Sequence, residues 1–172
     1  MLATAEEAVI DADTALEQLY AAHYAGLVRL AVLLLRDQAL AEDVVQDSFV
    51  AMHRRWDRVD AGKAPAYLRQ TVVNRSRSAL RHRAVAARHR PDRLPDGAPA
   101  DEAVLRDERR ARVLDALAGL PTRQREVLVL RYYLDLPEAD IASTLGISRG
   151  AVKTHASRGA AALRRTLTTE ED

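Results

Sequence analysis

The stretch that most constrains the fold runs from Leu136 to Arg165 and has the pattern of two short helices joined by a tight turn. Pro137 suits a first helical position, where its missing N–H removes no hydrogen bond. The apolar residues that follow recur at the spacing of one helical face, and they are Ile141, Ala142 and Leu145. This stretch therefore predicts a first helix that packs through one side only.

A glycine and a serine mark the turn. Gly146 suits the left-handed conformation at a helix C-terminus, and Ser148 is a good N-cap for the next helix. In that second helix the inward positions are Val152, Ala156, Gly159 and Leu163, and the outward ones are Arg149, Lys153, Thr154, Ser157 and Arg158. The pattern is typical of a helix-turn-helix, whose second helix presents such side chains to a major groove.

A helical hairpin with a solvated basic side is the structural alternative for the same residues. Between Ile141 and Arg165, however, five Lys and Arg residues occur and no Asp or Glu. A bias of this kind favours a polyanion as partner.

Composition favours helices over sheet. The 172 residues are rich in Ala, Leu and Arg, whereas Phe occurs once and Gly seven times. We expect an all-α protein of two small helical domains. The chain has no cysteine, which excludes disulfides, thiolate metal sites and cysteine nucleophiles. No apolar run approaches the roughly 20 residues that a membrane span needs, so we expect a cytoplasmic protein without membrane insertion.

Charge alternates along the chain although the net charge is only +1. Residues 1–60 carry five basic and eleven acidic side chains, a balance of −6, whereas residues 61–95 carry nine and one, a balance of +8. A protein that bound nucleic acid alone would have little use for so acidic a first third. The alternation predicts a protein partner in addition to a polyanion.

Two helices are predicted in the acidic part. Residues 1–13 are expected to form a disordered leader, and a helix should begin near Thr14 and end near Leu35. Arg36 and Asp37 then interrupt the apolar period. The second helix buries one side and carries a polar patch on the other, formed by Asp43, Gln46 and Asp47 at positions i, i+3 and i+4. We interpret this patch as a docking surface for a basic partner, with an ordinary solvated face as the alternative.

The third helix is strongly basic and should begin at Pro65 and extend to about Arg90. Its polar face combines hydroxyl, amide and guanidinium groups, contributed by Tyr67, Thr71, Asn74, Ser78 and Arg81 and flanked by Arg75 and Arg77. Groups of these kinds hydrogen-bond base edges as well as phosphates. Trp56, just before this helix, suits stacking on an unpaired base, although a Trp at the end of an apolar face is more often part of a core.

A linker separates two modules. Residues 91–101 include the Pro- and Gly-rich stretch PDRLPDGAPA, which divides a first module at 14–90 from a second at 102–168, with a tail at 169–172. The second module should contain a helix over about 101–117, closed by Gly119, and another that begins at Pro121. Such a linker permits either a closed or an open pair of modules.

Three segments follow one another in this chain, AEDVVQDSFVAMHRRWDRV, PAYLRQTVVNRSRSALRHR and LPTRQREVLVLRYYLDLPEADIASTLGISRGAVKTHASRGAAALR. In this order they resemble a bacterial RNA polymerase sigma factor of the compact extracytoplasmic-function class, in particular the branch common in actinobacteria. The resemblance covers about Leu16 to Leu167. It implies sigma region 2 at 14–90 and sigma region 4 at 102–168.

The resemblance also implies roles for the polar faces. The patch of Asp43, Gln46 and Asp47 would dock on the clamp coiled coil of the polymerase β′ subunit, and region 4 would meet the β flap. The −10 element would contact Trp56, Tyr67, Thr71, Asn74, Arg75, Arg77, Ser78 and Arg81. The −35 element would contact Ser148, Arg149, Lys153, Thr154, His155 and Arg158. Promoter DNA, core polymerase and an anti-sigma factor are the implied partners, with no small-molecule substrate.

The chain departs from the family pattern at several positions. Ser78 stands where an Asp is common, and Ala151 and His155 replace the usual Thr and Arg. Gly159 replaces the usual Ala, which should destabilise its helix by about 1 kcal/mol. These changes predict an altered promoter preference and retained activity.

Two other functional classes compete with this interpretation. A stand-alone helix-turn-helix regulator, whose first module senses a ligand or dimerises, would bind specific duplex DNA by itself. An enzyme would need a metal cluster, a nucleophile with a base or a phosphate-binding Gly loop, and none of these occurs in the sequence. We therefore expect no catalytic residues, no metal and no cofactor.

Overall fold

The computed structural model describes residues 5–89 and 104–169, and side-chain surroundings within 12–89 and 107–168. Within these ranges it consists of helices, as predicted. They are α1 (Ala5–Leu35), α2 (Gln38–His53), α3 (Ala64–His89), α4 (Val104–Ala118), α5 (Thr122–Tyr132), α6 (Glu138–Leu145) and α7 (Arg149–Thr169). Two 3₁₀ turns, Trp56–Arg58 and Ala61–Lys63, lie between α2 and α3. The predicted linker and tail lie outside the described residues, except that α7 includes Thr169.

The expected leader is wrong in its extent, because α1 is already helical from Ala5. The segment AEEA has high intrinsic helix propensity, and Thr14 at an interior position does not end a helix. The capping-box spacing at Thr14 was therefore a false start signal. The break between α1 and α2 agrees with the prediction: Arg36 adopts φ 53°, and the Asp37 carboxylate accepts a hydrogen bond of 2.9 Å from the Leu40 N–H.

The N-cap Asp37 stabilises α2 electrostatically as well as by geometry. The hydrogen bond from the Leu40 N–H is the main reason that the pKa of Asp37 lies below its ordinary value, and Arg83 of α3 adds to the effect as an ion-pair partner. Asp37 thereby connects the start of α2 to the middle of α3.

Within the described residues, α1 is long and apolar enough over Ala12–Leu35 to cross a bilayer by length and composition alone. This corrects the expectation that no apolar run approaches that length. The helix packs inside the protein, since Leu30, Ala31 and Leu34 are buried against α2 and α3. Its hydropathy is explained by core packing.

The two halves of the chain pack on each other. Helices α1, α2 and α3 form the first half and α4 to α7 the second, and one buried cluster runs through both. We call the contact of α1 and α3 with α4, α5 and α6 the seam. Of the two arrangements that the linker permits, the structure has the closed one.

A buried guanidinium lies at the centre of the seam. Arg125 of α5 is 8% exposed, and its Nη1 donates to the carbonyl of Leu34 at the end of α1, over 2.7 Å. The other guanidinium nitrogens donate to carbonyls at the end of α4 and just after it, those of Leu117, Ala118 and Leu120, over 2.7 to 3.1 Å. Burial lowers the pKa of Arg125, and the neighbouring Glu126 carboxylate opposes that shift.

Gly159 has a packing role that its helix propensity does not reveal. A Cβ at this position would lie 3.1 Å from Leu128 Cδ1 and 3.2 Å from Gln124 Cβ of α5. The missing side chain therefore lets α7 approach α5 closely. The expected loss of about 1 kcal/mol is the intrinsic helix term only and leaves out this contact.

Two glycine substitutions distinguish the effect of helix propensity on stability from the effect of packing against α5. Gly26 of α1 has no atom within 4 Å of a Cβ position, so Gly26→Ala should stabilise the protein by about 0.5–1 kcal/mol. Gly159→Ala should give none of that gain, because the new methyl group meets α5. Urea unfolding of both variants measures this, and equal stabilisation by the two substitutions would contradict the packing role.

Candidate nucleic-acid interface

The helix-turn-helix forms as predicted from α6, a tight turn and α7. Gly146 adopts φ 63° at the end of α6, and the Ile147 N–H donates to the Ala142 carbonyl over 3.1 Å. Ser148 caps α7, since its Oγ accepts a hydrogen bond of 3.1 Å from the Ala151 N–H. Val152 and Ala156 are buried, so the opposite side of α7 is turned outward.

Most of the predicted α7 contact residues lie on this outer side. Ser148, Arg149, Lys153, Thr154 and Arg158 are all exposed. Lys153 Nζ lies 3.9 Å from Glu138 Oε2 of α6, and Thr154 Oγ1 donates to the Gly150 carbonyl over 3.1 Å. The first turns of α7 therefore present cations and hydroxyl groups to solvent.

His155 differs from its neighbours on α7. The residue is half-buried, and its Nδ1 is buried without a hydrogen-bond partner. Only part of the ring is therefore accessible, unlike the exposed side chains on either side of it. The structure brings His155 beside the outward face but does not turn it fully outward.

The polar face of α3 is partly free and partly covered. Asn74 and Arg81 are exposed, while Thr71, Arg75 and Ser78 are half-buried. Arg81 Nη2 donates to Ser78 Oγ over 3.1 Å, which holds these two side chains together. The predicted face is thus present, with its exposed positions near the middle of the helix.

Arg77 points into the seam, away from this free surface. Its Nε and Nη2 donate to Glu126 Oε1 and Oε2 of α5, over 2.8 and 3.0 Å. The Arg77 side chain is 20% exposed and that of Glu126 only 3%. Arg77 Nη1 lies 3.4 Å from Asn74 Oδ1, so the pair reaches into the α3 face.

Sequence reasoning missed Glu126. The residue is separated from Arg77 by 49 positions, which no helical period reports. The available signal was the placement of Arg125 and Glu126 at the start of the apolar run of α5, where all residues from 125 to 130 are buried. Two adjacent charged residues in a buried segment, here Arg125 and Glu126, require hydrogen-bond partners from elsewhere in the fold.

Two aromatic residues predicted for the −10 interface pack inward. Trp56 lies in the first 3₁₀ turn and Tyr67 in the first turn of α3, and both are half-buried against the core. Trp56 thus packs against the core, which is the alternative that the sequence favoured for a Trp at the end of an apolar helical face. Tyr67 also lines a cavity of about 380 Å³ at the seam, together with Asp140, Ser143 and Thr144 of the second half.

The acidic patch on α2 is fully accessible. Asp43, Gln46 and Asp47 are exposed, and Val44, Val45 and Ser48 are buried beneath them. Asp47 Oδ2 lies 3.8 Å from Arg75 Nη1, so the patch adjoins the basic face of α3. An anionic and a cationic surface therefore meet along one side of the first half.

No group of three or more His, Cys, Asp or Glu side chains suited to a metal ion occurs in the part of the chain that the structure describes. The predicted functional residues are instead distributed over three surfaces, on α2, α3 and α7. Such surfaces suit macromolecular partners.

Comparison with known proteins identifies the family. Residues 19–86 match the model of sigma-70 region 2, and residues 110–163 match that of sigma-70 region 4. RNA polymerase sigma-E factor of Streptomyces avermitilis is 34% identical over 143 residues, which cover 83% of this chain and 79% of that protein. The chain belongs to the sigma-70 family. ECF RNA polymerase sigma factor SigL of Mycobacterium tuberculosis is 35% identical over 158 residues, covering 87% and 86% of the two chains.

Two solved structures share the fold. The chain aligns with CnrH, solved in complex with the cytosolic domain of CnrY, at a TM-score of 0.70 and 28% identity, over 94% of this chain and 97% of that one. It also aligns with RpoE of Bartonella quintana, solved with the anti-sigma factor NepR, at a TM-score of 0.71 and 24% identity, over 88% and 96%. The fold is thus the all-α fold of sigma factors, which are transcription initiation factors that direct RNA polymerase to promoters.

Proposed function

We propose that the chain is an alternative sigma factor of the extracytoplasmic-function class, which binds core RNA polymerase, recognises −10 and −35 elements and assists promoter melting. The observation that carries this proposal is the separation of charge within one family fold. An exposed acidic patch lies on α2, and cationic polar faces lie on α3 and α7. The acidic patch suits a basic protein surface, and the two cationic faces suit DNA.

Docking on polymerase is the role that the α2 patch supports. Asp43, Gln46 and Asp47 project from a helix whose other side is buried, so a partner can approach them without disturbing the core. A basic helical hairpin, such as the clamp coiled coil of β′, is complementary to two carboxylates and an amide. The β flap would meet the second half.

Recognition of the −35 element is the role that α7 supports. Arg149 and Lys153 are exposed in the first turns of the helix, which is the part of a recognition helix that enters the major groove. Arg158 follows one turn later. Because the ring of His155 is half-buried, we expect it to contact the −35 DNA less than its exposed neighbours do.

Capture of the −10 strand is the role that α3 supports. Asn74, Ser78 and Arg81 present an amide, a hydroxyl and a guanidinium group to the same side. Unstacking a base requires a few kcal/mol, and binding of the exposed base must supply a comparable amount. A protein that binds bases once they are exposed can therefore favour melting without ATP.

The competing ligand-sensing regulator has less support. The centre of the first half is filled by side chains such as Leu30, Met52 and Leu68, all fully buried. We infer a cytoplasmic, non-catalytic protein that uses no metal or cofactor. CnrH and RpoE were solved with CnrY and an anti-sigma factor, respectively, and we propose a regulatory partner of that kind for this chain.

Charge reversal tests the docking role. Asp43→Lys with Asp47→Lys should abolish co-purification with core polymerase, because two attractive contacts become repulsive, while the helical circular dichroism stays unchanged. The matched control is Asp107→Lys with Glu108→Lys on α4, two exposed acids with the same change in net charge. Undiminished association of the α2 variant would refute the docking role.

The −35 role predicts a change in salt dependence. Arg149→Ala and Lys153→Ala should each weaken duplex binding by the polymerase complex and reduce the slope of log K against log salt by about one unit per lost phosphate contact. Arg164→Ala, an exposed cation late in α7, is the control and should leave the slope unchanged. An identical footprint and slope for the Arg149 and Lys153 variants would remove the assignment.

The −10 role predicts a defect in melting. Asn74→Ala should lower permanganate reactivity of the promoter bubble, because the amide no longer holds an exposed base, with little change in −35 affinity. Run-off transcription should fall in parallel. A bubble of normal reactivity would show that Asn74 does not take part in strand capture.

A further inference from the structure

We propose that the Arg77–Glu126 pair is a latch that holds the two halves of the free protein closed and keeps part of the α3 face from its ligand. The second part of this statement rests on the proposed role of α3 in −10 recognition. The first part depends only on the seam.

The geometry of the pair engages the whole guanidinium group. Nε and Nη2 bind the two oxygens of Glu126, and Nη1 is directed at Asn74 Oδ1. A bidentate Arg–carboxylate pair of this kind is among the stronger polar contacts in proteins. While it persists, the Nε–Nη2 edge of Arg77 is occupied by Glu126 and is closed to a phosphate, and the Asn74 amide oxygen accepts a hydrogen bond from Nη1 over 3.4 Å.

Burial makes the pair selective for the closed state. The Glu126 side chain is 3% exposed, so its carboxylate depends on protein partners for charge compensation. Opening the seam removes Arg77 and admits water. In the closed state, removal of either partner therefore leaves the other charge buried with less compensation, which favours opening.

A second cation allows the latch to open without leaving the carboxylate alone. Arg123 Nη1 lies 3.1 Å from Glu126 Oε2, within the same helix, and also donates to the Leu145 carbonyl over 3.3 Å. When the halves separate, Arg123 stays with Glu126 because both belong to α5. Glu126 thus has a partner in either state, which is what a two-state contact requires.

The remaining contacts across the seam differ from the latch in position. Arg125 Nη1 donates to the Leu34 carbonyl over 2.7 Å in the buried centre of the seam, between α5 and α1. Arg29 Nε donates to Tyr133 Oη over 3.1 Å and Arg36 pairs with Asp115, and these groups are exposed. None of these contacts involves a residue of α3.

Separation of the halves would free Arg77 from Glu126, whereas the contact of Arg77 with Asn74 lies within α3 and does not depend on the seam. By linkage, a ligand on the α3 face that needs Arg77 favours the open state.

A distance measurement tests the latch directly. The chain has no cysteine, so nitroxide labels can be placed at Ala21→Cys on α1 and Ala161→Cys on α7, both exposed, and the separation measured by double electron–electron resonance. The doubly labelled protein with an intact Arg77–Glu126 pair should give one narrow distribution of distances between the two labels. Glu126→Gln keeps the side-chain shape, removes the charge and should add a longer, broad component.

Two further variants make the test decisive. Arg77→Met breaks the pair from the α3 side without altering the second half, and it should give the same longer component even if Glu126→Gln folds poorly. Tyr133→Phe removes both exposed seam hydrogen bonds of Tyr133 Oη, with Arg29 Nε and with the Gly26 carbonyl, and should leave the distribution narrow. Narrow distributions for folded Arg77→Met and Glu126→Gln would overturn the latch.

Binding of a fluorescein-labelled, mixed-sequence single-stranded oligonucleotide separates the latch from the role of α3. Glu126→Gln should bind it about tenfold or more tightly than the unsubstituted protein, the factor expected when a charge-assisted bond no longer competes. Tyr133→Phe should bind as the unsubstituted protein does. An open distribution without tighter binding would uphold the latch and contradict the proposed nucleic-acid role of α3.

Discussion

The buried guanidinium of Arg125 is the interaction on which the closed structure depends. A cation inside a protein must be compensated, and here the compensation comes from carbonyls at or near the C-termini of two helices, one in each half. Such carbonyls lack partners within their own helix and carry the negative end of its dipole. One side chain therefore completes the ends of α1 and α4 and fixes α5 against both. The apolar cluster that runs through the two halves follows from this alignment.

This arrangement explains how one small protein can carry surfaces of opposite charge. The acidic patch on α2 and the cationic face of α7 lie outside the seam and stay exposed in the closed state. The face of α3 lies beside the seam and is partly engaged through Arg77. A sigma factor must hold two promoter elements while it is bound to polymerase. Opening of the seam changes the exposure of the α3 face more than that of the other two surfaces. The α3 face is also the surface proposed to bind melted DNA.

Local features of the fold could be predicted from the sequence because local interactions determine them. The positive φ of Gly146, the cap formed by Ser148 and the break at Asp37 each depend on residues within one helical turn. The predicted start of α1 was wrong because a capping pattern inside a strongly helix-forming segment does not mark a helix N-terminus. The exposure of candidate residues such as Asp43 and Arg149 could be predicted from the helical period of the apolar residues alone.

The contacts that sequence reasoning missed join residues far apart in the chain. Arg125 and Leu34 are separated by 91 positions, and Arg77 and Glu126 by 49. Period and composition identify a buried or exposed side of a helix, but they do not identify which other helix covers it. The half-buried positions of His155 and Tyr67 and the packing role of Gly159 have the same origin. Each depends on which neighbouring helix lies against the residue.

Hydrogen exchange of the free protein and of its complex with core RNA polymerase and promoter DNA tests the central claim, that the α2 patch docks on polymerase while DNA on the α3 face opens the seam. The amides of α2 around Asp43 to Asp47 should exchange more slowly in the complex. The amides at the seam, in the second half of α3 and the first turn of α5, should exchange faster. Unchanged exchange in α2, or a seam protected equally in both states, would contradict the account.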